Sequence, residues 1–161
     1  VTLFAMDQRV DHGKIIAQTT VSIANDDTYA TLSKKLADAS ADVVLETAPR
    51  YYAGEIQARL QDESQATYTK KYTAEDGLVD SAGFAEALSG TNPEKARIMW
   101  RMVRALNPEP GVWTMVAVSA TGGQRAVKRH RRMKILAADF VDGKLVVRKI
   151  QFEGGKPRDW V

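Results

Sequence analysis

The sequence predicts an incomplete α/β layer followed by a mostly β barrel with one main helix. Three observations carry this expectation. The first third reads strand, polar loop, strand, long helix. The last third holds short β-branched runs with a two-residue hairpin signal. The charge changes sign between the halves: residues 1–76 carry 8 Lys/Arg against 12 Asp/Glu, a balance of −4, and residues 77–161 carry 15 against 8, a balance of +7. A reversal of that size suggests two units, the second facing a polyanion. At 161 residues, with 44% hydrophobic and 27% charged residues, the chain is globular in composition. No run approaches the ~18 apolar residues of a membrane span, and the start lacks a secretory pattern. A soluble, cytoplasmic protein with no membrane partner is therefore expected. Zero cysteines exclude disulfides and thiolate chemistry, and with His12 and His130 as its two histidines the chain has little for a metal site. The chain opens on Val1 inside a strand-like run, which suggests a piece cut from something longer.

Element by element, Val1–Met6 is apolar and β-prone, and Asp7–Gly13 interrupts it with turn residues. Lys14–Ile23 reads as a second strand. Asn25, Asp26 and Asp27 offer N-caps to a helix whose apolar positions, Tyr29, Leu32, Leu36, Ala39 and Val43, recur at three- and four-residue steps. Pro49 predicts a kink or break, and Gly54 the end. Gln57–Glu75 has weak periodicity and many polar residues, so it reads as a linker with some extended structure. Thr91 with Glu94 gives a capping-box pattern, and Ala96, Met99, Trp100, Val103 and Leu106 form a buried helix face ending near Asn107. Asn107–Gly111, with two prolines, is a rigid turn. Val112–Val118, Met133–Phe140 and Lys144–Gln151 are strand candidates, the last two joined by Asp142-Gly143. Short strands with one helix suit a small barrel of the OB type. The expected divisions are 1–56, a linker over 57–76, and 77–161.

Two segments could carry chemistry. On the loop Asp7-Gln8-Arg9-Val10-Asp11-His12-Gly13, a carboxylate can orient a histidine and stabilise its protonated form. The same carboxylates equally suit turn residues bonded to nearby backbone. His12 beside Asp11 suggests a dyad, but sequence neighbours on a turn rarely face each other. The second segment is the basic run Arg125, Lys128, Arg129, His130, Arg131, Arg132 and Lys134. Together with Lys95, Arg97, Arg101 and Arg104 on a nearby helix it could form a phosphate-binding surface; alone it could be a solvated loop. Trp100, Trp113 and Trp160 read as packing rather than a ligand cage.

These segments, in order, resemble the C-terminal half of the bacterial methionyl-tRNA formyltransferase family. Val1–Gly13 (VTLFAMDQRVDHG) is similar to the family's VTxMxMDxGLDTG, and Asp26-Asp27-Thr28 with Leu32 and Leu36 to DDTxxxLxxKLAxxG. Gln61–Tyr72 (QDESQATYTKKY) resembles QDExxATYAxKL, with Glu75-Asp76-Gly77 following in register. Arg104–Trp113 (RALNPEPGVW) is close to RALNPWPGAW, and the tail from Met133 looks like the family's closing strands. The resemblance implies an α/β fragment, the end of a Rossmann-like formyltransferase domain, followed by a mostly β OB-like barrel that binds tRNA. It implies transfer of a formyl group from 10-formyltetrahydrofolate, without metal, to the amino group of methionine on initiator methionyl-tRNA, by a monomer. Asp11 takes the place of the catalytic aspartate, which pairs with a histidine in an upstream Asn-x-His-x-Ser-Leu-Leu-Pro segment. Asp7, Arg9, Val10 and Asp11 would line the folate loop. Arg101, Arg104, Arg125, Lys128, Arg129, Arg131, Arg132 and Lys134 would contact tRNA.

The chain departs from the pattern at several places. Arg9 replaces Gly, His12 replaces Thr, Ala74 and Ser81 stand where Lys and Trp are common, and Glu109 replaces Trp. With one of three catalytic residues, the chain alone is expected to be inactive. The alternatives are another enzyme using the same formyl donor, including a hydrolase, and an RNA-binding module without chemistry. The basic second half argues against the former, and the retained Asp11 against the latter.

Overall fold

The computed structural model describes residues 1–119 and 128–160. The chain divides into two compact units, Val1–Lys70 and Lys71–Val161.

In the first unit, β1 (Thr2–Phe4) and β2 (Ile15–Gln18) pair antiparallel, with Thr2 opposite Gln18 and Leu3 opposite Ala17. The loop between them carries Asp7–Gly13. Gly13 is buried, and a Cβ there would land on the Ala5 carbonyl oxygen, so this close approach needs glycine. Ile15 and Arg59 exchange backbone hydrogen bonds of 2.8 and 2.9 Å, which adds a short third strand position beside β2. Residues 57–70, expected as linker, therefore lie within this unit.

Helix α1 (Tyr29–Tyr52) starts at Thr28, whose side chain and that of Thr31 cap each other's backbone N–H. Pro49 sits inside it rather than ending it. Its missing N–H leaves one carbonyl of the preceding turn unbonded, and three residues of helix follow, so the proline disturbs the last turn alone. Among the described residues of this unit, Gly13 and Thr47 are the buried ones.

The second unit has two helices where one main helix was expected. Helix α2 (Ser81–Ser89) begins at Asp80, whose carboxylate accepts from Gly83 N at 2.7 Å, and ends at Gly90 with φ of 79°. Helix α3 (Pro93–Leu106) begins at Asn92, with Pro93 in the first turn, and buries Ala96, Met99, Val103 and Leu106. Strands β3 (Val112–Ser119), β4 (Lys128–Val141), β5 (Lys144–Phe152) and β6 (Arg158–Asp159) form one antiparallel sheet in that order. Asp142 and Gly143 turn β4 into β5 with positive φ at both positions, as the hairpin signal predicts. An isolated bridge joins Leu78 to Trp113. Among the described residues no ladder joins β6 to β3, so the sheet is open and the expected closed barrel is not formed by these pairings.

The apolar core lies wholly in this unit. Val79, Phe84 and Ala87, the buried face of α3, and Val112, Met133, Ile135, Leu145, Val147 and Ile150 of the sheet pack together. Tightness is set at Gly77 as well: a Cβ there would collide with the Gly111 carbonyl oxygen. Among the described residues no helix is long and apolar enough to cross a membrane.

Candidate functional site

Arg9–His12 of the Asp7–Gly13 loop line one side of a groove of about 710 Å³ in the first unit. Its other side comes from Arg59–Glu63 and the residues up to Tyr68. Asp11 stands on this rim with φ of 54°, the left-handed region that an aspartate enters at a cost of about 1 kcal/mol. Its side chain is exposed. Among the described residues the Asp11 carboxylate accepts no hydrogen bond, so it stays available to a ligand or a partner group.

The structure pairs His12 with Asp7, not with its neighbour Asp11. His12 Nδ1 lies 2.5 Å from Asp7 Oδ2, and its Nε2 lies 3.3 Å from Glu63 Oε1 and within reach of the Arg9 guanidinium. The reason is directional: the turned backbone at Asp11 sends neighbouring side chains apart, while five residues of loop bring position 7 back to 12. The hydrogen bond from His12, and then the Arg9 backbone N–H, hold the Asp7 carboxyl below its ordinary value. Asp7 is thus a loop-building residue in this arrangement. Arg9 and Val10 line the groove, Val10 with 90% of its surface exposed.

Sequence reading missed Gln61. Its amide nitrogen donates to both the Asp11 carbonyl at 2.9 Å and the Gly13 carbonyl at 2.7 Å. Asp62 then caps a 3-10 turn at Glu63–Gln65, accepting from Ser64 N at 3.0 Å. Gln61 opens the family-like stretch QDESQATYTKKY, but a polar, aperiodic segment gives no sign that its first side chain returns to the loop.

The second unit carries the basic residues. Arg104 lies over the Trp100 ring at 3.9 Å and Arg132 over the Trp113 ring at 4.0 Å. Arg101 is exposed on α3. The register Trp113↔Lys134 and Met115↔Arg132 puts Arg132 and Lys134 on the Trp113 face of the sheet. Arg131 projects to the opposite face, where it lies 5.1 Å from the Phe152 ring centroid and donates to the Glu153 carbonyl at 2.9 Å. The basic run is therefore split between two faces. Lys128 and Arg129 stand opposite Ser119 and Val118 in the ladder, and Arg125 lies outside the described residues. Trp113 is a packing residue with a polar tie, its Nε1 donating to the Ala74 carbonyl at 2.7 Å. Among the described residues no group of three or more His, Asp or Glu is placed to hold a metal ion.

Residues 1–48, the strands, the Asp7–Gly13 loop and most of α1, match the family model described as Formyl transferase. The chain is 36% identical over 114 residues to a methionyl-tRNA formyltransferase of Kosmotoga olearia, a match covering 71% of this chain and 33% of that protein. It is 37% identical over 115 residues to the one of a Roseiflexus species, covering 71% and 32%. Over 99% of its length it is 29% identical to the Roseiflexus castenholzii protein of the same name, covering 52% of it. The chain thus spans between about a third and a half of the curated relatives it matches, and its similarity is to methionyl-tRNA formyltransferases from end to end.

Proposed function

We propose that this chain is the C-terminal part of a methionyl-tRNA formyltransferase. In this reading residues 1–56 close the catalytic domain, 57–76 connect, with 57–70 packed within the first unit, and 77–161 form an OB-like tRNA-binding domain. The observation that carries it is the exposed, unpartnered Asp11 carboxylate on a groove-lining loop inside the segment similar to formyl transferases. The groove fits a folate donor in chemistry. It offers main-chain groups of the loop to a pterin ring and the Arg9 and Arg59 guanidiniums to an anionic tail. When bound, 10-formyltetrahydrofolate supplies the electrophilic formyl carbon.

The residues of this chain then have distinct tasks. Asp11 holds and orients a protonated partner, the histidine that the family resemblance places upstream, as the methionine amine loses its proton. Burial of the site by substrate would strengthen that pairing by lowering the local dielectric. The Asp7–His12–Arg9 contacts keep the loop in shape. Initiator methionyl-tRNA would lie on the cationic surface of the second unit, where cations contact phosphates. The protein acts as a monomer in this scheme.

The test is Asp11→Asn in the complete gene product that contains residues 1–161. Turnover should fall by about two orders of magnitude or more with tRNA affinity unchanged. Equal losses in both would indicate a folding defect, and unchanged turnover would remove Asp11 from the chemistry.

A further inference from the structure

We infer that Gln61 is a positioning residue that holds Asp11 in its working conformation by gripping the main chain on either side of His12. The inference rests on the reading of Asp11 as the catalytic carboxylate. A primary amide has two N–H donors on one nitrogen. Here both find carbonyls, those of Asp11 and Gly13, at 2.9 and 2.7 Å. Two acceptors as partners settle which end of the amide faces the loop, since an amide oxygen could not donate to either.

The grip acts where the loop is least able to hold itself. Asp11 has φ of 54°, a conformation that an isolated aspartate leaves for ordinary φ values. Its own carboxylate contributes nothing to the turn, unlike Asp7, which accepts from the Arg9 N–H at 2.9 Å. The direction of the Asp11 carbonyl fixes ψ of that residue, and the direction of the Gly13 carbonyl fixes the peptide plane that leads into β2. Gln61 holds both from one nitrogen, so the two planes cannot turn independently. Gly13 in turn is locked against the Ala5 carbonyl.

Gln61 can do this because its own backbone is held on both sides. Arg59 exchanges two backbone hydrogen bonds with Ile15, at 2.8 and 2.9 Å. Asp62 caps the following turn, accepting from Ser64 N, Ser64 Oγ at 2.6 Å and Gln65 Nε2 at 3.0 Å. The side chain is half-buried, and its bond to the Gly13 carbonyl is the more shielded of the two. A residue 50 positions along the chain thereby sets the rotation of the peptide that aims Asp11.

Two variants test this in the complete gene product containing the chain. Gln61→Met removes both donors at similar length, and Gln61→Glu also sets a carboxylate against two carbonyls. Both should lower kcat by about 100-fold, the effect of a misplacement of the order of 1 Å. KM for tRNA should stay within about twofold. In an Asp11→Asn background neither should cost more than about twofold further, because the two residues act through one group. The one-bond Cα–Hα coupling of Asp11 should lose its positive-φ signature. Retained kcat, a further large loss on top of Asp11→Asn, or a parallel loss of tRNA affinity would each overturn the assignment. If the signature vanishes while Asp11→Asn leaves turnover intact, the grip stands and the catalytic reading of Asp11 falls.

Discussion

Thr114 sits on β3 with no exposed surface, and among the described residues its hydroxyl oxygen has no hydrogen-bond partner. A buried hydroxyl left unsatisfied costs about 1–3 kcal/mol, so Thr114→Val should stabilise the second unit by roughly 1 kcal/mol. Thermal unfolding checks it: a raised transition is expected, and a lowered one would show that the hydroxyl has a partner. The same scale explains why Asp11 and Asp7 differ although the sequence presents them alike. Asp7 is consumed by His12 and the Arg9 N–H, whereas Asp11, turned into the left-handed region, lines the groove and among the described residues is unpaired. Nothing in the residue types distinguishes them, because the decision lies in one backbone dihedral.

At the level of elements, the start of α1 depends on Asp27. Its carboxylate accepts from Lys35 at 2.8 Å, from Ala24 N at 2.7 Å and from Thr31 Oγ1 at 2.9 Å. Lys35 first, and the Ala24 N–H second, pull its pKa down to about 2 from 3.8. A carboxyl lowered on folding stabilises fully above its unfolded value and loses that contribution as pH falls through the folded one. The first turn of α1 should therefore loosen between about pH 4 and pH 2. Amide exchange across Tyr29–Ser33 should speed up in that window, and Asp27→Asn should remove the pH dependence. Strand β4 makes a second element-scale prediction. Alternation sends Arg132 and Lys134 to the Trp113 face and Arg131 to the other. If polyanions dock on the Trp113 face, Arg132→Ala with Lys134→Ala should weaken tRNA binding and reduce the salt slope by about 2. Arg131→Ala should leave that slope unchanged, and binding titrations at several salt concentrations separate the two outcomes.

Across the molecule, apolar burial is uneven. Every buried hydrophobic residue described lies between Val79 and Ile150. The first unit instead exposes Met6, Val10, Leu45, Tyr52, Leu60 and Tyr68, each at 75% or more of its surface. Stability follows buried apolar area, so the second unit should open rarely and the first readily. Hydrogen exchange on the 161-residue chain should find β3–β5 and α3 protected, with α1 exchanging on the order of 100-fold faster. Comparable protection in both units would show that α1 is held by something other than its own packing.

The sequence by itself determined those features that depend on neighbours along the chain. The periodic face of α3 and the Asp142-Gly143 turn each follow from residues within a few positions, and the start of α1 does so to within one residue, its cap being Thr28 rather than Asn25, Asp26 or Asp27. The ordered motifs from Val1 to Trp160 also pointed to a formyltransferase relationship. Local signals read less well wherever two could be combined: Asp80 and Gly90 frame α2, yet between them lie nine residues, two turns with weak periodicity. Only the tertiary structure decided which carboxylate His12 meets, which face each arginine of β4 takes, and that Gln61 reaches back to the loop. These outcomes rest on a dihedral, a strand register and contacts 22 to 50 residues apart, and pairings of that kind are set by how elements pack, which residue types alone do not encode.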